Sequence, residues 1–257
     1  MTTSQPVHAE RIEDGRVLHV VLNRPKGNIL DNEMVSAIRE VIADGARDAG
    51  VLAVLFEGAG DHFSFGASVT EHLPDQITRM LRYFHGMFRD LVALRRPLLA
   101  AVRGQCLGGG LELASFCHRV FASETASMGQ AEIKLGVMAP VASFVLPRRV
   151  GQAHADDLLL SGRSVGAEEA LAMGLVNEIV EDPLQSALTW IRTHLLDKSG
   201  ASLRVAVEAA RYEHDRAFLS QIDYLETLYI ERLMGHRDAE EGIRAFLEKR
   251  PPVWSHG

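Results

Sequence analysis

The chain has little cysteine and few aromatics. There are two cysteines in 257 residues, Cys106 and Cys117, without metal-ligand spacing. They exclude a disulfide framework and a cysteine-based zinc site, and both read as small apolar fillers. There is no excess of positive charge. The net charge is −7 and the pI about 5.9, which argues against a nucleic-acid or anionic-membrane binder. It leaves room for a small anionic ligand held by a few local Lys and Arg. No run approaches the roughly 20 apolar residues of a membrane span. The opening "MTTSQPVHAERIEDG" has no apolar core of a signal peptide, so a cytoplasmic location is expected. Low-complexity linkers and internal repeats are also missing.

What is present is an ordinary globular composition, 47% apolar and 24% charged, enough to bury a sizeable core. "RVLHVVLNRP" (16–25) reads as a buried strand stopped by Pro25. Asp31 reads as the N-cap of a helix with Met34, Ile38 and Ile42 on one face. "VLAVLFEGAG" (51–60) predicts a second strand and "DHFSFGASVTEHLP" a loop. Residues 75–97 predict a helix with a Met and Phe stripe for the core. Strand "LLAAVRG" follows, then a glycine-rich turn, a further strand "HRVFAS" and the loop "SMGQAEIKLGVMAP". "ADDLLLSGRSVGAEEALAMGLVNEIV" reads as helix, turn, helix, short strand. Alternating strands and helices predict an α/β class with parallel pairing. After Pro183 the pattern is helical almost to the end. The expected division is an α/β core over 1–188 and a helical region over 189–257.

The stretch "GQCLGGGLELASFC" (104–117) carries two local liabilities. Three glycines in a row lose much backbone entropy on folding. Glu112 stands among apolar residues, where a buried carboxylate is costly. A glycine-lined helix start presents unpaired backbone N–H groups, which bind phosphate or stabilise an oxyanion. This turn fits neither the P-loop nor the dinucleotide fingerprint, nor a serine nucleophile elbow. An oxyanion hole remains, and the second glycine loop, "FSFGAS" (63–68), offers another donor.

Taken together, "FSFGAS", "GQCLGGGLELA", "MGQAEIKLG" and "LLLSGRSVGAEEALAMGLVNEIV" resemble the crotonase (enoyl-CoA hydratase/isomerase) superfamily over nearly the whole chain. The resemblance implies a spiral of β-β-α units with a C-terminal helical trimerisation region, in a homotrimer or homohexamer. It implies an acyl-CoA thioester substrate, with coenzyme A as part of that substrate, and no separate cofactor or metal. The thioester carbonyl is expected between the backbone N–H groups of Ala67 and Gly109. Hydratases of the family use two glutamates, which fall on Glu112 and Glu132 here. Gly108, Arg24, Lys26 and Ser68 are expected at the substrate or CoA. The tail "FLEKRPPVW" is a further source of a basic residue for a neighbour's CoA site.

Three segments depart from the ordinary short-chain hydratase. Ser68 stands where an acidic residue is usual. "RPKGNILDNEMV" replaces the usual "RP-x-x-x-NAL" run. "GVMAPVAS" replaces a glycine-rich run after Glu132, so Pro140, without an N–H, stands where a donor to water is expected. "KGNILD", "FEGAGDHFSFGASVTEHLPDQ" and "GQCLGGGLELASFCHRVFAS" look like the family members that hydrate cyclohexa-1,5-diene-1-carbonyl-CoA by 1,4-addition, giving 6-hydroxycyclohex-1-ene-1-carbonyl-CoA in anaerobic benzoyl-CoA degradation. A linear 2-enoyl-CoA hydratase or a double-bond isomerase is the alternative. His62 and His72, flanking the first glycine loop, read as polar or packing residues.

Overall fold

The computed structural model describes residues 5–24 and 26–257. The elements run β1 (Val7–Ile12), β2 (Val17–Leu22), α1 (Asn32–Arg47), β3 (Ala53–Gly58), α2 (Ile77–Leu94), β4 (Leu98–Val102), β5 (Gln105–Leu107), α3 (Gly109–Phe116), β6 (Arg119–Ala122) and β7 (Ser127–Gly129). They continue with α4 (Pro140–Val150), α5 (Gln152–Ser161), β8 (Ser164–Gly166), α6 (Ala167–Ala172), β9 (Glu178–Ile179), α7 (Pro183–His194), α8 (Gly200–Thr227) and α9 (Arg237–Leu247). Short 3₁₀ turns cover Val69–His72 and Glu132–Leu135.

The larger sheet has the order β1-β2-β3-β4-β6-β9 and the smaller one β5-β7-β8. β2, β3, β4, β6 and β9 pair in parallel, as the near-continuous apolar runs predict. β1 is an antiparallel edge strand on β2. Its run Ala9–Arg11 is exposed, so it carries no apolar signal in the sequence. Both faces of the sheet are covered. Val17, Ala53, Leu55, Leu99, Ala101 and Phe121 pack against Ala187, Leu188, Ile191 and Leu195 of α7 and its C-terminal end. The opposite face, with Val20, Val54, Phe56 and Ala100, joins the main core with α1, α2, α3 and α4. Full burial of a side chain such as Phe56 contributes roughly 1.5–3 kcal/mol. The division expected after residue 188 falls inside α7.

Local rules explain most boundaries. Asp31 caps α1, its carboxylate accepting the Met34 N–H at 2.8 Å, a contact worth about 1 kcal/mol. Asp182 caps α7 over Pro183 in the same way. The loop "SMGQAEIKLGVMAP" was expected to run through Pro140. The proline instead opens α4 at its first position, where a missing N–H leaves nothing unsatisfied. The sequence from Ser199 produces a 28-residue helix, α8, with Phe218, Ile222 and Leu225 on its buried stripe.

Candidate active site

Two glycine loops meet at the mouth of one cavity. The first, after β3, is strapped to the segment before α1. Asn28 is buried and donates from Nδ2 to the carbonyls of Ala59 at 3.0 Å, His62 at 2.9 Å and Phe63 at 3.2 Å. Ser64 Oγ donates to the Asn28 carbonyl at 2.8 Å and accepts the Gly66 N–H at 3.0 Å. The Gly66 carbonyl accepts the Leu30 N–H at 2.9 Å. A trans peptide is planar, so the N–H of Ala67 points the opposite way. "KGNILD" thus aims the loop.

Each glycine of the triplet has its own reason. A Cβ on Gly108 would stand 2.6 Å from Glu132 Oε1, and its φ is +50°. A Cβ on Gly109 would stand 3.2 Å from the Ala67 nitrogen and 3.0 Å from Phe84 Cζ. A Cβ on Gly110 would stand 2.7 Å from Ser64 Cβ. The turn is bare because a carboxylate, an amide and the first loop press against it. Gly66 completes the approach with φ +98°, its own Cβ position lying 3.2 Å from the Gly109 nitrogen. The amides of Ala67 and Gly109 therefore sit side by side, and among the described residues neither donates to a protein acceptor. Gly109 is the first residue of α3, so its N–H also carries the partial positive charge of a helix start.

Glu112 stands on α3, buried at 3% exposure. Its Oε1 accepts the Ala142 N–H at 2.8 Å. Burial pushes its carboxyl up to about 8, with the charge of Glu132 adding to the rise and the Ala142 and Val141 amides pulling the other way. Glu132 opens the 3₁₀ turn Glu132–Leu135 and lines the cavity. Burial pushes it up to about 7, and its Oε2 is buried without a protein partner. Two neighbouring carboxyls with raised affinity for protons hold one proton between them near neutral pH. Such a pair supplies an acid and a base at once.

The cavity is about 410 Å³ and is lined by Phe65, Gly66, Ala67, Val69, His72, Leu107, Gly108, Ala131, Glu132, Lys134 and Leu135, with Gly242, Phe246, Arg250 and Pro252 from the C-terminal region. Its wall is mostly apolar, with few polar groups, as in a small-molecule site. His72, expected as a polar or packing residue, reaches this wall. Its Nδ1 donates to the Ser68 carbonyl at 2.8 Å, leaving Nε2 as an acceptor, and burial holds the imidazole below its usual range and so neutral.

Four other expected residues stand differently. Arg24 turns to the carboxylates of Asp31 and Glu33. Lys26 is exposed and outside the cavity wall. The cations at the cavity are Lys134 and Arg250, and Arg250 is itself held by Glu241 at 2.8 Å. Ser68 bonds Thr70 Oγ1 at 2.8 Å and precedes the turn that carries His72, a structural role. Pro140 is buried at the start of α4 and does not line the cavity, and the amides that follow it serve Glu112. Phe246, Arg250 and Pro252 of the tail reach this chain's own cavity, where a neighbour's had been expected. Residues 162–166 spell G-x-S-x-G, but Ser164 is exposed at the start of β8, paired with Gly129, and lies outside the cavity wall. His62 is structural, its Nδ1 accepting the Gln105 N–H at 3.1 Å. Both cysteines are buried and free, and burial pushes their thiols upward, Cys117 to about 12.

The chain belongs to the enoyl-CoA hydratase/isomerase family, whose pattern it matches over residues 13–257. It is 46% identical over 253 residues to the cyclohexa-1,5-dienecarbonyl-CoA hydratase of Thauera aromatica, covering 98% of each chain. It is 36% identical to a probable enoyl-CoA hydratase of Mycobacterium bovis, covering 99% of each. The solved structure of EchA1_1 from Mycobacterium paratuberculosis superposes with a TM-score of 0.86 at 29% identity, over 99% of this chain and 100% of that one. The fold is therefore the crotonase fold with a helical C-terminal region. Among the described residues, no helix is long and apolar enough to cross a membrane.

Proposed function

We propose that the protein is an acyl-CoA hydratase whose substrate is cyclohexa-1,5-diene-1-carbonyl-CoA, giving 6-hydroxycyclohex-1-ene-1-carbonyl-CoA. The observation that carries the hydratase reading is the pairing of Glu112 and Glu132, both raised by burial, beside two converging amides. The ring substrate rests on the likeness to the Thauera aromatica enzyme. In this reading the thioester oxygen lies between the N–H groups of Ala67 and Gly109, and one such donor contributes about 3–4 kcal/mol to the transition state.

The ionised member of the pair takes a proton from water. The water oxygen bonds the ring carbon β to the thioester. Electrons move onto the thioester oxygen, which the two amides stabilise. The protonated carboxyl then delivers its proton to the far end of the diene system, and the remaining double bond returns to conjugation with the carbonyl. The pair exchanges its single proton and is ready for the next turnover. The apolar wall of the cavity suits a flat ring, while Lys134 and Arg250 suit the anionic CoA end. We take the assembly to be a trimer or hexamer. α8 exposes Val205, Tyr212 and Leu219 at seven-residue spacing, a face suited to a second copy.

Ultraviolet absorbance with the dienoyl-CoA and with crotonyl-CoA in parallel tests the reading. Fast loss of the diene with little crotonyl-CoA turnover is expected. Fast crotonyl-CoA hydration without diene turnover would make the enzyme a linear enoyl-CoA hydratase. A double bond that moves without water uptake would make it an isomerase.

A further inference from the structure

Tyr229 is fully buried, and its hydroxyl meets no protein partner among the described residues. A buried hydroxyl without a partner is uncommon and calls for an explanation. Its position is informative. Phe218, Ile222 and Leu225 form the buried stripe of α8, and Tyr229 continues it into the π turn Leu228–Arg232. A π turn re-aims side chains and recurs at functional sites. The chain then passes into α9, which is clamped on the turn carrying Glu132. A Cβ on Gly242 would stand only 2.2 Å from the Leu135 carbonyl oxygen. The tyrosine thus belongs to the C-terminal segment that leads into α9, the helix packed on the turn carrying Glu132. The charges of Glu132 and Glu112 both act on the phenol and, after burial, push it further toward its protonated form. It is a donor, never a base, near neutral pH. Glu132 Oε2 is likewise buried without a protein partner among the described residues.

The rest of the site leaves a place for such a donor. The Ala142 amide is spent on Glu112, and among the described residues Glu132 Oε2 has no protein donor. A water molecule between two carboxylates needs a donor to fix its oxygen lone pairs while its protons face the base.

Resting on the hydratase reading, we propose that Tyr229 is a further catalytic residue: its hydroxyl donates to the oxygen of the adding water and holds that oxygen against the Glu112–Glu132 pair. Its O–H bond stays intact. One water O–H bond breaks as its proton passes to the ionised carboxylate, and the new C–O bond forms at the β carbon. The proton on the other carboxyl goes to the far carbon of the diene.

The test compares the full-length protein with Tyr229→Phe on the dienoyl-CoA and on crotonyl-CoA. The hydratase reading is judged on the parent, and the tyrosine on the ratio of variant to parent with whichever substrate is hydrated. Loss of one hydrogen bond to a reacting atom predicts a kcat lower by about 10–100-fold. KM should stay within about twofold, because the bound thioester is untouched. Tm should be unchanged, since the lost oxygen leaves no protein partner unsatisfied. A kcat within about threefold of the parent would overturn the proposal. So would a Tm fall of more than about 5 °C, which would reveal a structural partner. Should the parent hydrate neither substrate, the hydratase reading falls by itself. The infrared carboxylic C=O band of the ligand-free protein then judges the tyrosine. A band shifted in Tyr229→Phe supports a polar link from the phenol to the pair, and an unchanged band overturns it.

Discussion

Glu112 is carried by α3 inside the sheet-and-helix core, whereas Glu132 is carried by a four-residue 3₁₀ turn under the C-terminal helices. The first is sealed and bound by the Ala142 amide. The second faces the cavity, with one oxygen lacking a protein partner. Burial raises the proton affinity of both, so the same outcome is reached in two environments. The difference teaches a division of labour. The core wall fixes geometry, and the C-terminal wall shapes what the cavity accepts.

The comparison breaks most completely at Gly108. Gly108→Ala would place a Cβ against Glu132 Oε1 at a positive φ and displace one carboxylate from the other. Loss of an acid or base lowers rates by about 10²–10⁴-fold, and a fall of that size is expected in kcat, measured with the dienoyl-CoA. Asn28→Ala attacks the first glycine loop from outside the cavity. It strips three carbonyls of their donor, one buried and two part-buried, so urea unfolding should show a loss of about 1–3 kcal/mol, with kcat falling as the Ala67 amide loses its aim.

The raised carboxyls predict two pH effects. The rate should fall below about pH 7, where both are protonated and no base remains, and again above about 8, where both are ionised and no acid remains. For stability the sign runs the other way from an ordinary salt-bridged carboxylate. The folded protein binds protons more tightly than the unfolded chain, so this contribution is fully present below the unfolded value of 4.5 and is lost as pH rises through about 7 and 8. Glu132→Gln should flatten that slope in Tm measured from pH 5 to 9. The smallest effect belongs to Arg24→Ala. With its guanidinium held by Asp31 and Glu33, removal should change KM for the acyl-CoA by less than about twofold.

Much of this site was legible in the residue order. The parallel strands announced themselves as apolar runs, and the glycine triplet beside Glu112 marked its own oddity. The order and spacing of four motifs led to the pair. What was not legible depended on folding back from a distance. β1 has an exposed, polar face and reads as nothing until β2 pairs with it. Pro140 looked like the loss of a donor, because only the folded helix shows the amides beyond it reaching Glu112. His72 and Tyr229 have no local signature. One gains meaning from a turn after a glycine loop, and the other from a packing contact of the C-terminal helices. Arg24 finds carboxylate partners close by in sequence, Asp31 and Glu33, which a reading for ligand contacts does not reveal.

The most direct test of the central claim is the rate of water addition by Glu112→Gln and Glu132→Gln, each at saturating dienoyl-CoA. The account predicts that both fall by about 10²–10⁴-fold while KM changes little. Either variant keeping close to the parent rate would contradict it, because a carboxylate that can be neutralised without loss is not half of the acid–base pair.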